Sequence, residues 1–525
     1  MISPAVKKVI SEKADHQQIT THQRITWLLL AFFPSSLLMG TTMHITTDMV
    51  SAPLLWVLPL CLYLLTHIMA FSKYEIIPEK FLHMAHPVAV AMIIMLSTKM
   101  RFIVASWTTA GLVLAAFFLT ALALHTRLAA NRPHNKHLTQ FYFFLALGGA
   151  LGGSFNAFFA PLAFNSVLEF PLIALLSCMV NPYFNSNKKN RNLIIAGCVL
   201  LVLHVLGSWA VMHVTGQLTG DLRHLLLMMV LALIIGHHPK TTMLGCLVIM
   251  LFAQLLMPVK TLEEARNFFG VSRIYDKPFP RGEGQAPVML RHFMHGTTLH
   301  GLQRLDVDNQ KDTPITSYYG SLVTAIDVLR PRHIALLGLG AGTIRCYHAP
   351  DRYYTMYEID PEVVTIAEKY FDYLRDCGSA EDVIVIGDGR LEMQKRSADK
   401  YDMIIMDAFT SDNVPVHLIT EEAFTLYRER LTQDGVIAVH ISNRYLDFKP
   451  LIPVIAAKTG LKTLYRYQPA DEKDFQVASQ WVVLIPQQMN PAPLLREGWL
   501  LIEPQEKDVR SWTDDYSNIL SILRL

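Results

Sequence analysis

The hydrophobic pattern changes character near Pro258. Before it, apolar runs recur near 25–46, 51–71, 81–98, 102–124, 139–163, 193–214, 222–237 and 241–257. A bilayer core about 30 Å thick needs roughly 20 mostly apolar residues per helix. A shorter run near 167–180 suits a short span or a re-entrant piece. Residues 1–258 therefore read as a polytopic transmembrane domain of about eight or nine helices. Beyond Pro258 the runs shrink to strand length. Residues 259–310 read as a linker and small β element, with alternation over 285–305. From 332 onward apolar strands (333–340, 353–360, 382–390, 401–409, 435–442, 461–467, 480–485) alternate with helical spacing at 361–371, 421–431 and 449–459. Repeated βα units with continuous apolar strands predict a mostly parallel, doubly wound α/β sheet over 311–525.

Charge sharpens the boundary. Residues 1–258 hold 16 Lys+Arg against 7 Asp+Glu, and the remainder holds 30 against 37. Basic residues concentrate in the N-terminal tail and in the loops near 72–80, 125–138 and 181–192, which places the N-terminus inside. Eight spans keep the second half in the cytoplasm, and nine put it outside. The chemistry below favours eight. The first 24 residues are polar and do not resemble a cleavable signal peptide. The acidic second half gives no reason to invoke nucleic acid. The six cysteines show no CxxC spacing and imply no disulfide framework. No HExxH or Cys/His cluster suggests a metal. In the membrane half, His44 and Asp48 read as solvated at an interface or, more sharply, as a cation or amine site. Gly148, Gly149, Gly152 and Gly153 suit close helix packing.

The candidate chemistry sits at strand ends, where doubly wound sheets bind ligands. Gly338, Gly340 and Gly342 follow the first strand of the βα region in a GxGxG turn. Glu358 ends the second strand, about 20 residues on, where an acid can bond ribose hydroxyls. Asp388, followed by Gly389, ends the third, where an acid can accept from an exocyclic amine. Asp407 ends the fourth. Three acids at successive strand ends after such a turn point to a nucleoside-containing ligand. No GxxxxGK[ST] supports a P-loop. The bland alternative for Asp407 is a helix cap. His417 and His440 read as ordinary structural histidines.

GxGxG with acids after strands two and three resembles the S-adenosylmethionine-methyltransferase fold, a Rossmann-type domain. The order HGTTLHGLQ, GLGAGT, YEIDP, GDGR, MDAFTSDNVPVHL narrows this. It resembles the spermidine synthase (polyamine aminopropyltransferase) family, and its membrane-fused bacterial branch of major-facilitator/spermidine synthase-like proteins. WLLLAFFPSSLLMG (27–40), PLLWVLPLCLYLLTHIMAF (53–71) and TDDYSN (513–518) also look like that branch. The resemblance implies a multi-pass protein of the bacterial inner membrane, its α-helical transmembrane domain followed by a cytoplasmic methyltransferase-like domain. It implies a small amine substrate, decarboxylated S-adenosylmethionine or S-adenosylmethionine as co-substrate, no metal, and a homo-oligomer.

The same resemblance implies roles. Glu358 matches the ribose-binding acid and Asp388 the acid near the adenine amine. Asp407 matches the first aspartate of the DSSDP loop, which helps deprotonate the attacking amine. Asp412 is the candidate for the second, in a loop two residues longer. Tyr318 or Tyr319 matches the assisting tyrosine. Gln303 and His300 fall in the segment lining the cofactor site. Two departures stand out. Ala341 replaces the aspartate of GGGDGG that holds the donor's amine. Tyr318-Tyr319-Gly320 lacks the glutamate of the YxE segment. The alternatives are another S-adenosylmethionine-dependent methyltransferase, or a transporter or sensor with a non-catalytic nucleoside- or polyamine-binding domain.

Overall fold

The computed structural model describes residues 19–48, 55–97, 107–180, 261–279, 286–296, 298–310, 317–408, 415–471, 475–504 and 509–524. The chain divides into two compact units at Pro258.

The first unit contains α1 (Thr21–Asp48), α2 (Val57–Ala70), α3 (Glu79–Ser97), α4 (Trp107–Ala130) and α5 (Leu138–Ser154). A π-turn at Phe155–Phe159 continues α5 into the short α6 (Ala160–Ala163), and α7 (Glu169–Ser177) follows. Three stretches are long and apolar enough to cross a bilayer: Thr21–Thr46, Trp107–Ala130 and Asn135–Ala163. The runs near 51–71 and 81–98 give shorter apolar helices, Val57–Ala70 and Met84–Ser97. In the second, the charged turn at Glu79 and Lys80 takes up the start of α3. The runs at 193–214, 222–237 and 241–257, with His204, lie outside the described residues.

Two of the four glycines bring helices together. A Cβ on Gly148 would lie 2.3 Å from the Leu28 carbonyl oxygen, and one on Gly152 would lie 2.5 Å from that of Phe32. Only a glycine lets α5 approach α1 so closely. Gly149 and Gly153 face open space. Asn156 in the π-turn donates to Ser36 Oγ (2.5 Å) and to the Gly152 carbonyl (3.0 Å). Its amide thus supports backbone that has left the α-helical ladder. His44 is 4% exposed and packs against the Phe170 ring, so the solvated reading of this residue fails.

In the second unit β1 (Thr261–Asn267), β2 (Gly270–Phe279), β3 (Val288–His295) and β4 (Thr298–Arg304) form an antiparallel four-stranded sheet in that order. The expected small β element is thus two hairpins. After α8 (Gly320–Leu329) comes an eight-stranded sheet. Its strands are β5 (His333–Leu337), β6 (Tyr353–Glu358), β7 (Val383–Ile386), β8 (Tyr401–Met406), β9 (Leu431–His440), β10 (Leu461–Gln468), β11 (Ser479–Pro486) and β12 (Leu500–Ile502). The spatial order is β12-β10-β11-β9-β8-β5-β6-β7. Strands β7, β6, β5, β8 and β9 run parallel. Strands β11, β10 and β12 are antiparallel. The β10–β11 connection is too short for the crossover a parallel pair requires, so those strands return as a hairpin.

Alternation along the parallel strands feeds two cores. Ile334, Leu336, Met403 and Ile405 face one layer with Leu322 and Ile326 of α8 and Val363 and Ile366 of α9 (Pro361–Tyr370). Ala335, Leu337, Ile404 and Met406 face the other, with Phe424 of a helix at Glu421–Arg430 and Ile452 of one at Leu451–Lys458. This is the doubly wound, methyltransferase-like Rossmann architecture.

One expectation is overturned. Cys346 and Cys377 form a disulfide, with Cα atoms 4.8 Å apart. Cys346 ends the 3-10 turn Thr343–Cys346 after the glycine loop, and Cys377 follows a short helix at Tyr373–Asp376. The spacing of 31 residues belongs to no motif, so only the fold brings the thiols together.

Candidate active site

The strand order reverses between β5 and β8, and the candidate site lies at their carboxyl ends. Register explains it. Leu337 pairs with Tyr357 of β6 and Met406 of β8, and Met406 pairs with Val439 of β9. The next residue on each strand therefore falls in one row: Gly338, Glu358, Asp407 and His440. The Asp407 N–H donates to the Leu337 carbonyl at 2.9 Å, continuing the ladder to this edge. The row borders a cavity of about 530 Å³, within the range of small-molecule sites, roughly 300–1,000 Å³.

The glycine turn is needed for approach. Gly338 has φ +96°, and a Cβ there would meet the Asp407 carbonyl oxygen at 2.4 Å. Gly340 has φ +55°, and a Cβ there would meet the His300 carbonyl oxygen at 2.4 Å. Both positions demand glycine twice over, by conformation and by space.

Glu358 is 7% exposed. Its Oε2 accepts from the Leu339 N–H (2.9 Å) and its Oε1 from the Asp360 N–H (3.0 Å). Burial raises its carboxyl above the usual range, and these two N–H groups work the other way. Each oxygen keeps a lone pair for a ligand hydroxyl. Asp388 caps the helix at Gly389–Lys395 through Leu391 N–H (3.0 Å). Its second oxygen meets His417 Nε2 at 2.8 Å. His300 lines the cavity, and its Nε2 is buried without a hydrogen-bond partner. Burial, with His295 adding, holds the His300 imidazole down to about 3, so the ring is neutral.

Asp407 and His440 form the other half. Asp407 Oδ2 accepts from the Tyr319 hydroxyl at 2.6 Å. Its Oδ1 lies 2.8 Å from His440 Nδ1, with side chains 5% and 9% exposed. His440 Nε2 lies 2.7 Å from Ser442 Oγ, which accepts from the Gln480 N–H at 2.7 Å. This network assigns the tautomer. Nδ1–H donates to the carboxylate, and Ser442 donates to Nε2. The His440 ring is clamped flat between Tyr318 (interplanar angle 4°) and Trp481 (9°). Burial foremost, and the Asp407 charge next, push both the Tyr318 and Tyr319 phenols well above their ordinary value. Both stay protonated donors.

The structure separates the expected residues. Gly338, Gly340, Gly389, Glu358, Asp388, Asp407, Tyr318 and His300 line the cavity. Tyr319 reaches it through Asp407. Gly342 instead turns the chain at φ +81°, beside Leu374. Gln303 is committed elsewhere. It is 1% exposed, donates to Asp372 Oδ2 (2.6 Å) and accepts from the Asp372 N–H (2.7 Å). Both ends of its amide are used, which corrects its reading as a cofactor ligand. Asp412 lies outside the described residues. His417 and His440, read as structural, both line the cavity and bond its acids. For His440 the available signal was its place at the end of the fifth strand. Ala341 does not face the cavity. It is 1% exposed, its N–H donates to the His300 carbonyl (3.1 Å), and its methyl packs against Gly301. Among the described residues no group of His, Cys, Asp and Glu is arranged to hold a metal.

Residues 328–449 match the spermine/spermidine synthase domain family. A polyamine aminopropyltransferase of Vibrio vulnificus is 32% identical over 116 residues, covering 21% of this chain and 38% of that protein. A probable polyamine aminopropyl transferase of Bifidobacterium longum is 30% identical over 158 residues, covering 29% and 33%. The chain thus spans between a third and two fifths of the length of these relatives. The crystal structure of spermidine synthase from Thermotoga maritima aligns with 16% identity and a TM-score of 0.32, over 45% of this chain and 75% of that one.

Proposed function

We propose that the chain is a membrane-bound transferase that moves an aminopropyl group from decarboxylated S-adenosylmethionine to a small amine. The observation that carries this reading is Asp407. It is buried at the switch point, between the Tyr319 hydroxyl and His440, beside the Glu358 and Asp388 end of one cavity. The domain match over 328–449 spans these acids and supports the same chemistry. The apolar helices of the first unit support attachment to a bilayer.

In this reading Glu358 takes the ribose hydroxyls, and Asp388 and the orphaned His300 Nε2 hold the base end. An alkylammonium, near 10.4 unperturbed, has no lone pair to attack with. Asp407 binds it and accepts its proton as attack begins. The nitrogen lone pair forms a bond to the aminopropyl carbon, the C–S bond breaks, and its electrons stay on sulfur. The products are methylthioadenosine, the aminopropylated amine and a protonated Asp407. Tyr319 and His440 orient the carboxylate, and holding both reactants in one cavity supplies much of the acceleration.

A second reading is methyl transfer from S-adenosylmethionine. The Gly338–Gly342 loop favours it, because the loop brings no acid to the cavity to hold the ammonium of the aminopropyl arm. Purified full-length protein, mixed with either donor and a panel of amines, separates the two. Aminopropyl transfer releases methylthioadenosine, and methyl transfer releases S-adenosylhomocysteine. Neither product, beside an active soluble aminopropyltransferase, refutes both.

A further inference from the structure

We infer that the acceptor is an amine carrying an anionic oxygen group, a carboxylate or a phosphate, at the end remote from its reacting nitrogen. The inference rests on Asp407 as the anchor of that nitrogen. From Asp407 the hydrogen-bond chain runs through His440 to Ser442, and the next residues, Asn443 and Arg444, line the same cavity. What they offer a ligand is one-sided.

Asn443 is 6% exposed. Its Oδ1 accepts from the N–H groups of Tyr445 (2.9 Å) and Leu446 (2.8 Å), which fixes the amide's orientation. Its Nδ2 is buried with no hydrogen-bond partner. Burying a donor unsatisfied is costly, and such groups usually signal a missing partner. On the neighbouring strand β11 Ser479, 1% exposed, also has a buried hydroxyl without a partner and lines the cavity. Arg444 is exposed, and among the described residues it makes no ion pair. Among the described residues that form this side, 440–444 and 477–480, none is Asp or Glu.

A diamine puts a second ammonium here, which has three donors and no acceptor. It would meet the Asn443 donor and the Arg444 charge, and of these three side chains only the Ser479 hydroxyl could accept its protons. A carboxylate or phosphate turns the Asn443 and Arg444 contacts favourable. It accepts from Asn443 Nδ2 and Ser479 Oγ and pairs with the guanidinium, the group best matched to planar oxyanions. The absence of a glutamate after Tyr318-Tyr319 agrees, because a diamine site has use for that acid and an amino-acid site does not.

The test uses the purified full chain, saturated with methylthioadenosine and titrated in a calorimeter. The probes are γ-aminobutyrate, 3-aminopropylphosphate and putrescine. The first probe is the third with one aminomethyl end exchanged for a carboxylate. At least one anionic amine is expected to bind ten-fold or more tightly than putrescine, and the tighter of the two identifies the oxyanion. Arg444→Gln, at an exposed position, is expected to erase most of that preference. Asn443→Asp keeps Oδ1 and replaces the orphan donor with an acceptor, and is expected to reverse the preference. Equal or tighter putrescine binding overturns the inference, as does binding of none of the three. Methylthioadenosine release with decarboxylated S-adenosylmethionine is read separately. Release with putrescine alone overturns the acceptor class and leaves aminopropyl transfer standing. Selective binding of an anionic amine without release sinks the transfer and keeps the acceptor class.

Discussion

Replacing Tyr319 with Phe isolates one hydrogen bond at the Asp407 carboxylate. The ring is buried at 2% exposure and lies 6.0 Å from Trp481, so Phe retains the packing. What is lost is the 2.6 Å donor to Asp407 Oδ2, while the 2.8 Å contact of Oδ1 with His440 remains. Hydrogen bonds to charged groups contribute about 1.5–3 kcal/mol. If the transition state needs Asp407 in this orientation, the loss translates to roughly 10- to 150-fold in kcat/KM. The assay is methylthioadenosine release at fixed pH with saturating donor. Tyr319 does not line the cavity, so donor affinity should stay within about two-fold, well under the roughly 1.4 kcal/mol of a ten-fold change. An unchanged kcat/KM, or a loss arising entirely from donor affinity, would refute the orienting role.

Three further outcomes follow from the geometry. Gly301→Ala should destabilise the second unit by about 1–3 kcal/mol, the usual range for overpacking, because its Cβ would lie 2.2 Å from that of Ala341; an unshifted thermal melt contradicts this. Cys346 and Cys377 should resist alkylation in unfolded protein until reduced, and reduction should remove about 3–4 kcal/mol by loop-entropy arithmetic for their 31-residue separation. Such bonds persist in oxidising compartments, so protection in intact cells would place this unit outside the cytoplasm and require an odd number of spans; ready alkylation there places it inside. Burial raises the Glu358 carboxyl, so its stabilising contribution is full below its unfolded value, near 4.3, and is lost as pH rises through the folded one. The stability of the native chain minus that of Glu358→Gln should therefore fall as pH rises above about 4, measured by denaturant titration; a flat or rising difference contradicts it.

Much of the βα unit was legible because its signals are local. The apolar strands and the acids that end them are written in short segments, and the parallel register then aligns Gly338, Glu358 and Asp407 automatically. What escaped depends on contacts between distant segments. His440 reads as an ordinary strand-end histidine until β9 is placed beside β8, opposite Asp407. Gln303 sits in a family-like segment, but its amide is claimed by Asp372, 69 residues away. Ala341 reads as a missing acid. In space it is the methyl that fits against Gly301, away from the cavity. The Cys346–Cys377 bond has no spacing signature at all.

The most direct measurement compares the native full-length chain with Asp407→Asn, reading methylthioadenosine release and donor binding in the same preparations. The amide keeps the size of the carboxylate but cannot take the amine's proton. The native chain should release methylthioadenosine with an amine acceptor present, and Asp407→Asn should bind the donor normally while release falls by two orders of magnitude or more. Undiminished release by Asp407→Asn would show that Asp407 does not take the amine's proton.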